Sequence, residues 1–175
     1  MKKNGKVPSS DSTLAAMDSL RRIVRAIRVF SHTTERNLRI SGAQLFVLQS
    51  LKEEPGMSLK ALAQRTLTDQ SSVSVVVSRL VEDGMIKRRI SSEDARMSRL
   101  ELTAKGRDLL RKAPFALQSR LIDGLRSLPP SELSSVVRAL RKLVLHLRAD
   151  GDDPAMFFEG EPARASAGKR KKHVA

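Results

Sequence analysis

The residues from Ser58 to Thr103 constrain this chain more than any others: SLKALAQRTLTDQSSVSVVVSRLVEDGMIKRRISSEDARMSRLELT. Leu59, Leu62 and Ala63 have the spacing of a short helix, and Thr66 to Asp69 break it. Val73, Val76, Val77 and Leu80 then recur three and four apart, which predicts a second helix from Gln70 to about Asp83 with Val73, Val76 and Leu80 toward a core. Gly84 ends that helix as a residue able to take positive φ past a C-terminus. A strand-like run over Met85 to Ile90, a polar tip over Ser91 to Ser98 and a second run over Arg99 to Leu102 complete the pattern.

Two helices joined by a tight turn and followed by a β-hairpin make a winged helix-turn-helix, a module that reads DNA. Its second helix begins with Gln70, Ser71, Ser72 and Ser74, whose side chains can meet base edges and phosphates in a major groove. Free N–H groups and the positive end of the dipole at that terminus also favour phosphate. Asp69 or Thr68 is expected to cap it, and Arg79, two turns in, is placed to reach backbone or base. Capping alone accounts for one or two of the serines. In the hairpin, Lys87, Arg88 and Arg89 lie on the first strand, while Arg96 and Arg99 follow the tip. Residues 85–112 hold nine bases against four acids. An arginine at a hairpin tip suits the negative potential of a narrow minor groove. Asp94, two residues before Arg96, is expected either to fix the wing's shape through a charged hydrogen bond or to serve as a turn-forming Asp.

Charge agrees with this reading. Lys and Arg number 33 against 19 Asp and Glu, a net +14 that points to a polyanionic partner or a soluble basic surface. Five Phe and no Trp or Tyr disfavour a single-strand binder that stacks bases on aromatics. The absence of Cys excludes disulfides, thiolate metal sites and thiol redox sensing. His32, His146 and His173 lack ligand spacing, so no metal or other cofactor is expected. No nucleophile–base pair or glycine-rich phosphate loop suggests an enzyme. The basic N-terminus leads into no apolar signal segment and no run of eighteen apolar residues exists. The expectation is a soluble, cytoplasmic, nucleoid-associated protein with no membrane partner.

Elsewhere the chain reads as helical. Leu14, Met17, Leu20, Val24, Ile27 and Phe30 form an apolar stripe from about Ser12, with Arg21, Arg22, Arg25 and Arg28 on another face. Ser41 and Gln44 have the spacing of a capping box, Leu45, Leu48 and Leu51 supply a buried face, and Pro55-Gly56 ends that helix. Thr103 is placed to cap a helix over Ala104 to about Ser127. Pro114 should kink it or split it in two. After Leu128-Pro129-Pro130, a last helix over Ser131 to about Arg148 carries Leu133, Val136, Val137, Leu140, Leu143, Val144 and Leu147. That stripe is broad for a terminal helix, and burial against a second subunit accounts for it. The tail holds five acids and then five bases, so the net charge resides in residues 1–149. Its basic end, Lys169 to Lys172, is either an arm for phosphates or a solubilising terminus.

With these residues in view, the chain resembles the MarR family of bacterial winged-helix regulators. The wing signature of that family stands here as Asp94, Arg96, Leu102, Thr103 and Gly106, and its recognition helix as Ser71, Ser72, Val73, Ser74, Leu80 and Gly84. Gln44, Leu48, Leu51, Leu62 and Ala63 match as well, and the likeness spans residues 12–148. The resemblance implies a mainly α homodimer whose N- and C-terminal helices form a dimerisation domain. The expected organisation is a disordered arm over 1–11, a dimerisation helix over 12–40, a winged helix-turn-helix over 41–103, dimerisation helices over 104–149 and a flexible tail over 150–175. The resemblance further implies binding to a pseudo-palindromic operator in double-stranded DNA, usually to repress. Gln70, Ser71, Ser72 and Ser74 would contact bases and phosphates, Arg96 the minor groove, and Asp94 would orient the wing. Val75 departs from the pattern, since Arg is frequent there; it leaves fewer strong base contacts and more reliance on shape and thymine methyls. Many members release DNA when a small aromatic or phenolic effector enters a cleft beside the dimer helices. No such site is identifiable here: His32 and Arg36 suit an anion, but a lone His is more often structural. The competing reading is an architectural or low-specificity DNA-binding protein that works through charge.

Overall fold

The computed structural model describes residues 10–90 and 98–149, and over these the apolar periods of the sequence become seven helices and one antiparallel hairpin. The order is α1 (Ser10–Leu38), α2 (Gly42–Glu53), α3 (Leu59–Thr66), α4 (Gln70–Glu82), β1 (Ile86–Ile90), β2 (Ser98–Leu102), α5 (Ala104–Leu110), α6 (Leu117–Arg126) and α7 (Pro130–His146). Most of the wing tip, with Asp94 and Arg96, lies outside the described residues, as do the arm and the tail.

The core belongs to the middle of the chain. Leu45, Leu48 and Leu51 of α2, Leu62 of α3, Val73, Val77 and Leu80 of α4, Ile86 of β1 and Leu100 of β2 are all buried in one cluster. α2 starts where a capping box is complete: the Gln44 N–H donates to Ser41 Oγ at 3.1 Å, and the Ser41 N–H donates to Gln44 Oε1 at 2.8 Å. The chain after α2 lies along β2. There the Gly56 N–H donates to Leu100 O at 3.2 Å and the Leu100 N–H to Met57 O at 2.9 Å, so two residues too few to show any period cover the sheet's open edge.

Several boundaries differ from the sequence expectation for local reasons. α1 begins at Ser10 rather than Ser12. Thr66 is inside α3, not in the break, and its buried hydroxyl is satisfied by donating to Leu62 O at 2.9 Å. Ser98 is paired with Ile90 and belongs to the strand, not the tip. α7 begins at Pro130, since a proline needs no partner for its missing N–H at the first helical position.

Pro114 divides the segment after the wing into α5 and α6 instead of kinking one helix. Between them the chain is held by one side chain: Gln49 Nε2 donates to Pro114 O at 2.7 Å, while Gln49 Oε1 accepts the Ala116 N–H at 2.9 Å.

α1 meets this core through Phe30 and Leu38 in its C-terminal part, and α7 contributes no residue to it. Of the predicted α1 stripe, Phe30 packs against the core, but Leu14, Met17 and Val24 are exposed. α7 buries no residue, and Val137, Leu140, Leu143, Val144 and Leu147 all face solvent.

Candidate nucleic-acid interface

The helix-turn-helix is built by caps. Ser58 Oγ accepts the Ala61 N–H at 3.1 Å and starts α3. Leu67 ends it in the left-handed region at φ 52°, which turns the chain within three residues into α4. Thr68 Oγ1 braces that turn by donating to Thr66 O at 3.0 Å. Asp69 is the cap of α4. One carboxylate oxygen accepts both the Ser72 N–H, at 2.8 Å, and the Ser71 hydroxyl. These hydrogen bonds, the Ser71 hydroxyl first, hold the Asp69 carboxyl well below the usual carboxylate range.

The cap alters what Ser71 can offer a ligand. A serine hydroxyl has one proton and two lone pairs. With its proton committed to Asp69, Ser71 presents an acceptor, which suits an exocyclic amino group of adenine or cytosine rather than the guanine edge.

The faces of α4 are sharply divided. Val73, Val76, Val77 and Leu80 are buried on one side. At 100° per residue the opposite side is centred on Ser71, Val75, Ser78 and Glu82, with Ser74 and Arg79 on its flanks. Gln70 and Ser71 are exposed at the start, and Ser72, Ser74, Ser78 and Arg79 are half-buried. Ser78 was not among the residues singled out from sequence, although it stands seven positions beyond Ser71 and shares its face.

The wing carries its bases on two faces. Lys87 pairs with Glu101 and Arg89 with Arg99, so these four side chains share one face. Arg88 is opposite Leu100 on the other, the face that turns Ile86, Leu100 and Leu102 into the core. Glu101 holds two of the cations: Lys87 Nζ is 3.3 Å and Arg89 Nε 3.2 Å from its Oε2. Arg99 reaches the turn after α2, with Nη1 at 3.4 Å from Gly56 O. Glu101 carried no signal in the sequence beyond being one acid among bases.

The wing is fastened at its base to α5. Thr103 Oγ1 accepts the Gly106 N–H as an N-cap and donates to Gly84 O at 2.7 Å. Lys105 Nζ donates to Asp83 O at 2.7 Å, at the end of α4. A Cβ on Gly106 would lie 2.4 Å from Met85 O, so the position requires glycine for close approach. α4, wing and α5 thus form one connected surface, with a polar helix face and a basic hairpin at its edges.

Comparison with known proteins agrees. The MarR family model matches residues 40–98. A putative transcriptional regulatory protein for the hcr operon of Thauera aromatica is 30% identical over 136 residues, 78% of this chain and 80% of that protein. The transcriptional regulator BilQ of Clostridium symbiosum is 32% identical over 104 residues, 59% of this chain and 72% of BilQ. Among solved structures, the transcriptional regulator BldR of Sulfolobus solfataricus superposes with a TM-score of 0.51 at 25% identity, over 80% of this chain and 99% of BldR. BpsR of Bordetella bronchiseptica, whose DNA binding is regulated by 6-hydroxynicotinic acid, does so with a TM-score of 0.50 at 27% identity, over 77% of this chain and 93% of BpsR. The chain therefore belongs to the MarR family, winged helix-turn-helix regulators of transcription and not enzymes.

Proposed function

We propose that the protein represses transcription as a homodimer, each copy laying α4 in the major groove of one half of a pseudo-palindromic operator with its wing in the adjacent minor groove. The observation that carries this is the face of α4 turned from the core. It is lined by Ser71, Ser74 and Ser78, is entered from an N-terminus bearing Gln70, and is flanked by Arg79. Glu82 and Asp83 sit at the opposite end of the helix, where a carboxylate would meet phosphate repulsion, so the N-terminal half is the half that enters the groove. Lys87, Arg88, Arg89 and Arg99 supply sequence-independent phosphate attraction from the hairpin, and Arg96, from outside the described residues, is assigned the minor groove with Asp94 orienting it.

Dimerisation is supported by the two uncovered helices. α1 exposes Leu14, Met17, Ile23, Val24 and Val29, and α7 exposes Val137, Leu140, Leu143 and Val144 of its apolar stripe. Covering these surfaces with a second copy would remove them from water at about 25 cal/mol per Å². A small-molecule effector is the third part of the reading. A cavity of about 530 Å³ at the wing base is lined by apolar Leu51, Pro55 and Leu102 and by Lys52, Lys87, Arg107 and Arg111 against one acid, Glu101, a net positive set that suits an organic anion.

Selection from a random duplex pool tests the reading. The expected result is one enriched inverted repeat, bound about a thousandfold or more tighter than bulk genomic DNA. Equal affinity for both would favour the architectural reading, which the charge of +14 supports by itself. Light scattering that shows a monomer at micromolar concentration would overturn the dimer.

A further inference from the structure

The exposed face of α4 contains one side chain that cannot make a hydrogen bond. Val75 lies four residues after Ser71 and three before Ser78, on the centre line of that face, and is 46% exposed. The other valines of the helix are buried or packed against the core. A single exposed valine on an ordinary surface requires no account. This one sits where an inserted helix meets base edges, one turn in from the N-terminus, ringed by the hydroxyls of Ser71, Ser74 and Ser78. A branched side chain there also lowers helix propensity relative to the straight-chain polar residues that an exposed position otherwise takes.

Base-pair chemistry in the major groove selects its partner. Guanine offers two acceptors, cytosine a donor, and adenine one of each; all would be left unsatisfied against two methyl groups. Thymine alone presents a C5 methyl, an apolar group that gains from contact with another. Ser74 and Ser78, short and able to donate or accept, complement the thymine O4 or the adenine amino group of the same or adjacent pair, while Ser71, its proton held by Asp69, complements the amino group alone. No Arg, Lys, Asn or Gln stands on the centre line between Ser71 and Glu82 to compete for a guanine.

We propose that Val75 reads the C5 methyl of a thymine in each half of the operator, so that specificity at that base pair rests on an apolar contact between hydroxyls and not on a bidentate hydrogen bond. This rests on α4 occupying the major groove, as proposed above.

The test replaces each thymine of the selected operator with uracil, one at a time, and measures affinity for the full-length protein and for Val75→Ala. Uracil keeps every hydrogen-bonding group and loses only the methyl. One thymine per half-site should lose about fourfold in affinity with the unaltered protein. With Val75→Ala, which removes an exposed side chain and keeps a good helix former, the same replacement should change affinity by less than about twofold. Uracil tolerated at every position, or an equal loss with both proteins, overturns the assignment while leaving α4 in the groove. Failure to enrich any duplex sequence overturns the underlying reading instead, and the assignment with it.

Discussion

Glu101 sits where a surface built only to attract phosphate would carry no acid, and it holds Lys87 and Arg89 at once. In the proposed complex it would lower the sequence-independent part of DNA affinity by engaging two cations that would otherwise release counterions on binding. Glu101→Gln is expected to tighten binding to random duplex DNA and to steepen the slope of log affinity against log salt by about one to two. An unchanged slope would place both cations away from the duplex. Asp69 makes a different kind of prediction. Its carboxyl is held below its usual value in the folded chain, so the unfolded chain takes up the proton first as pH falls. The cap therefore contributes fully above the ordinary aspartate range near pH ~4 and is lost progressively below it. Asp69→Ala should be less stable than the unaltered protein at neutral pH, and the gap should narrow on acidification below about pH 4; denaturant melts of the two proteins across pH check this. The sequence left the cap open between Thr68 and Asp69, because Ser, Thr, Asp and Asn have that role at any helix start, and the structure places it at Asp69. The sequence left Glu101 unmarked, because an ion pair across a hairpin depends on register, which no local pattern supplies.

The backbone carbonyls of Asp83, Gly84 and Met85 join the end of α4 to the wing base and α5. Thr103 N–H donates to Met85 O at 3.0 Å, and Gly106 packs its α-carbon against that same carbonyl. Gly106→Ala would drive a methyl into backbone that neither element can move without the other, and is expected to lower unfolding free energy by about 1–3 kcal/mol in a thermal or denaturant melt. Wild-type stability in that variant would mean that the wing base yields. The glycine was visible as part of a spaced pattern, but its reason was not, since close approach joins Gly106 to Met85, far apart in sequence. The helix-turn-helix and hairpin were legible because each signal is local: caps, apolar period, Gly84, alternating strands. The Gly56–Met57 edge along β2 was illegible because two residues have no period. The split at Pro114 was legible as an alternative to a kink, and Gln49 decides it from a helix sixty-five residues away.

At the scale of the molecule, two regions of different character are joined. The reading head has a full core of its own, whereas α1 and α7 carry apolar stripes that one copy leaves open. Sequence period identifies such stripes but is silent on what covers them, because periodicity marks an apolar face and not the surface it meets. Between α5 and α6 runs the short segment that the Gln49 amide holds at Pro114 and Ala116. In the proposed dimer, whose two heads would meet successive turns of a duplex about 34–36 Å apart, that grip would work as a ruler's stop. Gln49→Leu fills much the same space and frees the segment. It should leave affinity for each half-site intact and let the protein accept operators with a base pair inserted or deleted at the centre, which the unaltered protein should reject; a panel of spacer lengths reads this directly. The distance between two words on the DNA would then be kept by one amide side chain that touches neither of them.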